Sequence, residues 1–229
     1  MMTVHRQRGA TIGTLTVVAW LVAAAASPGA QSSGYPTKPR PLPETEEIAL
    51  ATSAAPEEVS AQATVYVLRA TGPAKAREGT NGCTCLVSRD LHEGSLYPIC
   101  YDREASTSAF QQELMELRLR FEGRAEEEIK RAVVAAYASG TLHAPNRPAM
   151  IYMMSPRQVL FSSPFAEGVN VGAWHPHLMI AMPFATSEQF GLSPNPSIDA
   201  FQLERSGEAG AQLIVPLTRW ADASEAAKP

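Results

Sequence analysis

Apolar positions along this chain follow two rhythms. Ala63-Thr-Val-Tyr-Val-Leu68 is rich in β-branched and aromatic residues and predicts a strand. Thr71-Gly72 turns the chain, and Ala74–Glu78 predicts a second strand. Gly79-Thr80-Asn81-Gly82 is a turn sequence leading into a third, Cys83–Ser88, so the three together predict a β-meander. Residues 89–104 hold no sustained period and read as loop. The spacing then changes. Phe110, Leu114, Leu117 and Phe121 recur three and four residues apart and predict a helix over 107–121, broken by Gly123. Ile129, Val133, Ala136 and Tyr137 give one face to a second helix over 125–139. Glu126, Glu127 and Glu128 sit at its start, where the helix dipole favours acids, and Gly140 follows its end.

Beyond Pro145 and Pro148, Ala149–Ser155 and His175–Pro183 are apolar on both faces, the pattern of strands covered on both sides. Residues 156–174 and 184–200 read as long loops, with a turn of helix at Ser187–Phe190. Phe201–Glu204 and Gln212–Leu217 predict a closing hairpin around Gly207 and Gly210. Pro216 puts the end of that strand at an edge or bulge. Upstream, Thr45–Ser53 predicts a short helix with Glu46 and Glu47 in its first turn, and Pro56 ends it. The expected fold is α+β: an antiparallel sheet of six to seven strands packed against two main helices.

The N-terminus changes the picture of where this domain works. His5, Arg6 and Arg8 precede an apolar run from Ile12 to Ala26, and small residues follow through Ala30. This is the layout of a secretory signal peptide, with Ala24 and Ala26 forming a small-x-small cleavage site. The run is shorter than the ~20 residues that span a bilayer comfortably. Pro36, Pro39, Pro41 and Pro43 then make an extended tether. The organisation expected is a signal at 1–30, a Pro-rich linker at 31–46, one domain at 47–220 and a frayed tail at 221–229. The destination is the periplasm or the exterior. The net charge of −4, with no dense run of Lys or Arg, argues against a nucleic-acid binder. No second apolar stretch is long enough to span a membrane.

Export makes the three cysteines informative, because an oxidising compartment favours one disulfide and one remaining thiol. Cys83 and Cys85 stand two apart on one strand and pair poorly with each other, so Cys100 bonds to one of them. We take Cys85, which closes a loop of about 15 residues worth ~3 kcal/mol in the chain-entropy model. The competing arrangement, three thiolates with His92 around a metal, matches no familiar zinc spacing.

Five short segments carry a resemblance: Asn81-Gly82-x-Thr84-Cys85-Leu86, Pro98-Ile99-Cys100-Tyr101-Asp102, Ile151-Tyr152-Met153-Met154-Ser155, Pro176-His177-Leu178-Met179 and Ile214-Val215-Pro216. In this order the series resembles a group of exported bacterial proteins with no assigned activity, over roughly Glu44 to Leu217. The resemblance implies architecture and no chemistry. It implies the same Cys85–Cys100 pairing and makes Cys83, usually aromatic in the group, the extra thiol. Some members carry a His where this chain has Gln212, which weakens a metal site at that position.

Three functional readings follow, and the first, which leads, involves no cofactor. The first is a binding or structural module, with Trp174, Tyr152 and the loops at 156–174 and 184–200 lining a cleft. The second is a copper or zinc protein. In a strand, His175, His177 and Met179 point one way, and Met153 on the other apolar strand adds a second sulfur. The third is a hydrolase with Ser155 as nucleophile, His177 as base and Asp102 as orienter, although no G-x-S-x-G elbow is present.

Overall fold

In the computed structural model, residues 39–90, 95–161, 170–172, 175–193 and 201–221 are described. The signal segment, most of the linker, His92 and Trp174 lie outside them. The strand β3 (Thr84–Asp90) organises the rest. Its residues from Thr84 to Arg89 are all buried, because helices cover it on both faces. Leu86 belongs to one core with Phe110, Leu114 and Leu117 of α4 (Ala109–Phe121). Cys85 and Val87 point the other way, into a second core with Leu50 and Ala51 of α1 (Glu44–Thr52). α1 begins at Glu44, within the stretch read as linker.

The sheet is larger than expected and mixed. Its eight strands run in the order β2-β1-β3-β4-β5-β8-β10-β9. They are β1 (Thr64–Arg69), β2 (Gly72–Arg77), β3, β4 (Ser95–Tyr101), β5 (Met150–Met153), β8 (His177–Ala181), β9 (Gln202–Glu204) and β10 (Gln212–Pro216). A separate ribbon pairs β6 (Leu160–Phe161) with β7 (Asn170–Gly172). Every neighbouring pair of the main sheet is antiparallel except β1 and β3, which are parallel, so the meander expectation is corrected there.

The physical reason lies in residues 78–83. They do not fold β3 back onto β2. They skirt the start of β1 and deliver β3 to its far side. Gly79 makes this passage: a Cβ there would lie 2.2 Å from the Thr64 nitrogen and 2.4 Å from the Gln62 carbonyl oxygen. Thr80 N–H donates to Gln62 O at 2.9 Å, and Thr64 N–H donates to Cys83 O at 2.8 Å, closing the loop over the strand end.

β4 occupies a stretch that reads as loop. Pro98 hides it, since proline is uncommon in a central strand. Leu96 N–H donates to Val159 O at 2.9 Å, so even-numbered residues of β4 turn their nitrogens toward the β5 side. Pro98 falls between Leu96, which bridges Val159, and Cys100, which pairs with Tyr152. The neighbouring chain bulges between those two points, and the missing N–H breaks no ladder bond. The helix expected over 107–121 is present as α4, and a short helix not expected from the sequence, α3 (Arg103–Thr107), precedes it across Ser108, whose backbone leaves helical geometry (φ −125°, ψ −88°). α5 (Glu126–Ala138) matches its expected span, with Gly140 left-handed at φ 75° beyond its end. A short helix, α2 (Glu57–Ser60), joins α1 to β1. The closing hairpin of β9 and β10 forms as read.

Candidate functional site

The residues singled out from sequence do not gather into one site. His177 and Met179 lie on the same face of β8, and Met153 pairs opposite His177 across β5. All three are buried, and Met153 and Met179 belong to the core on which α4 packs. His175 precedes β8, is exposed, and offers its carbonyl to His177 Nδ1 at 2.8 Å. Pro176 starts the turn into β8 only after His175, so His175 does not share the strand's alternation. Burial lowers the His177 pKa, which keeps the ring neutral over a wider range. Among the described residues no group of three or more His, Cys, Asp or Glu side chains is placed to hold a metal.

Ser155 and Asp102 stand at opposite ends of β5. Asp102 caps α3, accepting from Ala105 N–H at 2.7 Å, and its second oxygen accepts from Met150 N–H at 2.9 Å. Ser155 Oγ lies 2.6 Å from Ser53 Oγ and accepts from Arg157 N–H at 3.1 Å. Ser155 is five positions on from Met150, up to roughly 16 Å of extended chain at ~3.3 Å per residue. Asp102 is thus a structural acceptor. Asp102→Ala should lower the unfolding free energy by ~2 kcal/mol, from a lost cap and an orphaned strand N–H. Urea denaturation checks this, and a change within ~0.5 kcal/mol would contradict the assignment. Tyr152 lies on the face away from α4, against the second core. Cys85 and Cys100 form the disulfide, directly opposed in the β3–β4 register with Cα atoms 4.1 Å apart. Cys83 is a free, half-buried thiol.

Polar groups converge elsewhere. α4 lies between the sheet and α5, so it buries two faces. Phe110, Leu114 and Leu117 meet the sheet. Gln112 and Glu116 are also buried, at 5 % exposure each. Gln112 Nε2 donates to Glu116 Oε1 at 2.7 Å, and Tyr137 of α5 donates its hydroxyl to Gln112 Oε1 at 2.8 Å. Arg120 stands 3.3 Å from Glu116 and 3.0 Å from Glu126. Arg205 reaches in from the turn after β9, 3.3 Å from Glu116. Its backbone is left-handed at φ 52°, an uncommon conformation for a residue other than glycine.

Between this network and the sheet lies a cavity of about 70 Å³, lined by Tyr101, Gln112, Glu113, Tyr137 and Arg205 with an apolar wall of Ile99, Ile151 and Met179. Glu113 accepts from the Ser88 hydroxyl at 2.5 Å through one oxygen. Its other oxygen has no hydrogen-bond partner among the described residues. Burial pushes the Glu113 carboxyl up and neighbouring Glu116 adds to this, while Arg120, the Ser88 hydroxyl and Arg205 oppose. Tyr101 is 3 % exposed, and its ring rests edge-on against Phe110 with centroids 5.5 Å apart. The Tyr101 hydroxyl likewise has no hydrogen-bond partner among the described residues. Burial drives its pKa well up, with Glu113 and Glu116 adding to the rise, so it is a neutral phenol. Gly210 leaves room at the wall: a Cβ there would press to 2.9 Å from Gln112 Oε1.

No protein-family model, no curated protein and no solved structure matches this chain. The site therefore rests on its own geometry.

A second concavity, of about 670 Å³, opens along Pro148, Ile180, Met182, Phe184 and Phe190, and shares Pro145 and Ala181 with the cavity. Phe184, 63 % exposed, is left-handed at φ 62°. Of the residues picked from sequence, only Met179 lines the cavity. Glu113 and Glu116 were passed over because charges at helical spacing read as a solvated face. The one signal available was their like charge at i, i+3, which an exposed helix disfavours.

Proposed function

We propose that this chain is an exported binding module that takes a small polar ligand group into the cavity between β4, α4 and β8. The observation that supports it is a pair of polar groups at the cavity with no protein partner among the described residues, the hydroxyl of buried Tyr101 and one oxygen of half-buried Glu113. A polar group shut away from water without a partner costs ~1–3 kcal/mol, and a ligand group that meets both the Tyr101 hydroxyl and the Glu113 oxygen removes that cost. A mixed wall of apolar side chains and a few convergent polar groups is the usual make-up of a small-molecule site. The buried Cys85–Cys100 disulfide and the signal-like N-terminus support export, and no described helix is long and apolar enough to cross a membrane. The five-segment resemblance to exported bacterial proteins belongs to the same reading.

The test is a titration of the full-length oxidised chain with ethylammonium, acetate, acetamide and ethanol, followed by amide NMR shifts. At least one probe should give saturable shifts at Tyr101, Glu113 and Met179. Ala181→Leu, which fills the cavity from β8, should abolish them. The reading is overturned if no probe shifts these residues, or if the shifts survive in Ala181→Leu.

A further inference from the structure

We infer that the group this cavity takes is a small ammonium, the amino end of a primary amine. The inference deepens the binding reading and rests on it. Charge balance is the first argument. Glu113 and Arg205 line the cavity, and the network behind them adds the acids Glu116 and Glu126 and the cation Arg120. Arg120 is held between Glu116 and Glu126, and Arg205 is engaged with Glu116. Glu113 is the acid left with only a hydroxyl, that of Ser88. With Glu113 ionised, the set lacks one positive charge beside its free oxygen. Glu204 and Glu208, which bear on Arg205 electrostatically, deepen the same deficit.

Hydrogen bonding is the second argument. An ammonium brings three donors and no acceptor. The cavity offers three acceptors: the free Glu113 oxygen, the Tyr101 hydroxyl oxygen, and the second lone pair of Gln112 Oε1, whose first takes the Tyr137 hydroxyl. An anion would have to draw Arg205 away from Glu116 and enter beside uncompensated carboxylates. A neutral amide would leave Glu113 unbalanced. Size is the third argument. A cavity of about 70 Å³ takes a group of two or three non-hydrogen atoms, given the ~30 Å³ one water occupies in the liquid. Ile99, Ile151 and Met179 form the apolar wall for the carbon that carries the amine.

The inference sets a direction for pH. The groups around Glu113 are Glu116 and Arg120 on its own helix, Ser88 of β3, Tyr101 of β4, Tyr137 and Glu126 of α5, and Arg205 from the turn after β9. In the empty cavity burial holds Glu113 protonated above the ordinary carboxylate range. An ammonium binds the ionised form, so it must release that proton. Affinity therefore rises with pH, by about tenfold per unit below the Glu113 pKa, and levels off above it.

The deciding experiment compares ethylammonium, acetate and acetamide on the full-length oxidised chain at pH 8, by amide shifts, with a pH series for any probe that binds. Ethylammonium should bind, and acetate and acetamide should not. Glu113→Gln should weaken ethylammonium by about tenfold or more, the effect of removing a charge-assisted hydrogen bond. Tyr101→Phe should weaken it severalfold. If acetate or acetamide binds in place of ethylammonium, the ammonium inference falls and the cavity remains a binding site. If none of the three binds, the inference falls, and ethanol alone then decides the binding reading. Ethylammonium binding that is indifferent to Glu113→Gln or to pH also overturns it. Nα-acetyl-lysine methylamide distinguishes the source: tighter binding than ethylammonium assigns the amine to a peptide side chain, weaker binding to a free small amine, and either upholds the ammonium.

Discussion

Replacing Cys85 and Cys100 together by alanine should lower the unfolding free energy by ~3–5 kcal/mol, a large share of the ~5–15 kcal/mol that holds an ordinary domain together. Two effects add. The cross-link closes a loop with a sequence separation of 15, and opening it returns that entropy to the unfolded chain. Both residues are also fully buried in the core under α1, so truncating the sulfurs leaves a void among Ala51, Val65 and Val87. Urea midpoints of the oxidised wild type and the double variant measure the difference. Cys83→Ser is the control, and should shift stability by less than ~1 kcal/mol because that thiol is half-buried and unbridged. A double variant within 1 kcal/mol of wild type would show that the bridge does not support the core.

The second large effect belongs to Glu47. Its carboxylate is 1 % exposed and sits 2.8 Å from Arg89, itself almost wholly buried. The same carboxylate accepts from Leu68 N–H at 2.7 Å and from Leu42 N–H at 3.3 Å, tying α1 and the segment before it to β1. Arg89 Nε has no hydrogen-bond partner among the described residues, and the countercharge on the guanidinium there is Glu47. Glu47→Leu strands that charge in the core and should cost ~3–5 kcal/mol. The double variant Glu47→Leu/Arg89→Met removes the charge as well and should recover most of the loss, since a well-packed apolar pair often equals a buried ion pair. Chemical denaturation of the single and double variants reads this directly. A double variant as unstable as Glu47→Leu would mean that the hydrogen bonds to Leu68 and Leu42, not the stranded charge, carry the effect.

These two sites also show where sequence reasoning ran well and where it stopped. The spacing of Phe110, Leu114 and Leu117 and the β-branched run at 63–68 are local signals, and the elements they predict are present. Three cysteines behind a signal-like N-terminus predict one disulfide from Cys100 to Cys83 or Cys85, and the choice of Cys85 matches the bond present. Glu47 read as a first-turn acid stabilising a helix dipole. It is in that turn, but its partner Arg89 belongs to β3, and no periodicity links the two positions. β4 was invisible because Pro98 argues against a central strand wherever it stands, and only the bulge in the neighbouring chain makes it harmless. The parallel β1–β3 pair turns on the path of six residues around a strand end, which turn chemistry alone does not specify. The cavity was the hardest to read. Its polar residues come from β3, β4, α4, α5 and the turn after β9, and each taken alone is an ordinary surface-type residue.

One feature of the sheet bears on how the chain assembles. The strand order divides it into β2-β1-β3-β4, drawn from residues 64–101, and β5-β8-β10-β9, drawn from residues 150–216. Each half is continuous in sequence. They join along a seam of two register pairs, Cys100 with Tyr152 and Tyr101 with Ile151. Asp102 extends it by exchanging hydrogen bonds with Met150 in both directions. Strand pairing within each half is continuous in sequence, whereas the halves meet through this short seam, the Leu96–Val159 bridge and a shared core that joins Leu86 and Ile99 to Met153, Met179 and Ile214. The cavity straddles that joint, with Tyr101 on one side and Met179 on the other. A ligand bound there as proposed would touch both halves of the sheet at once and so would stabilise their joining.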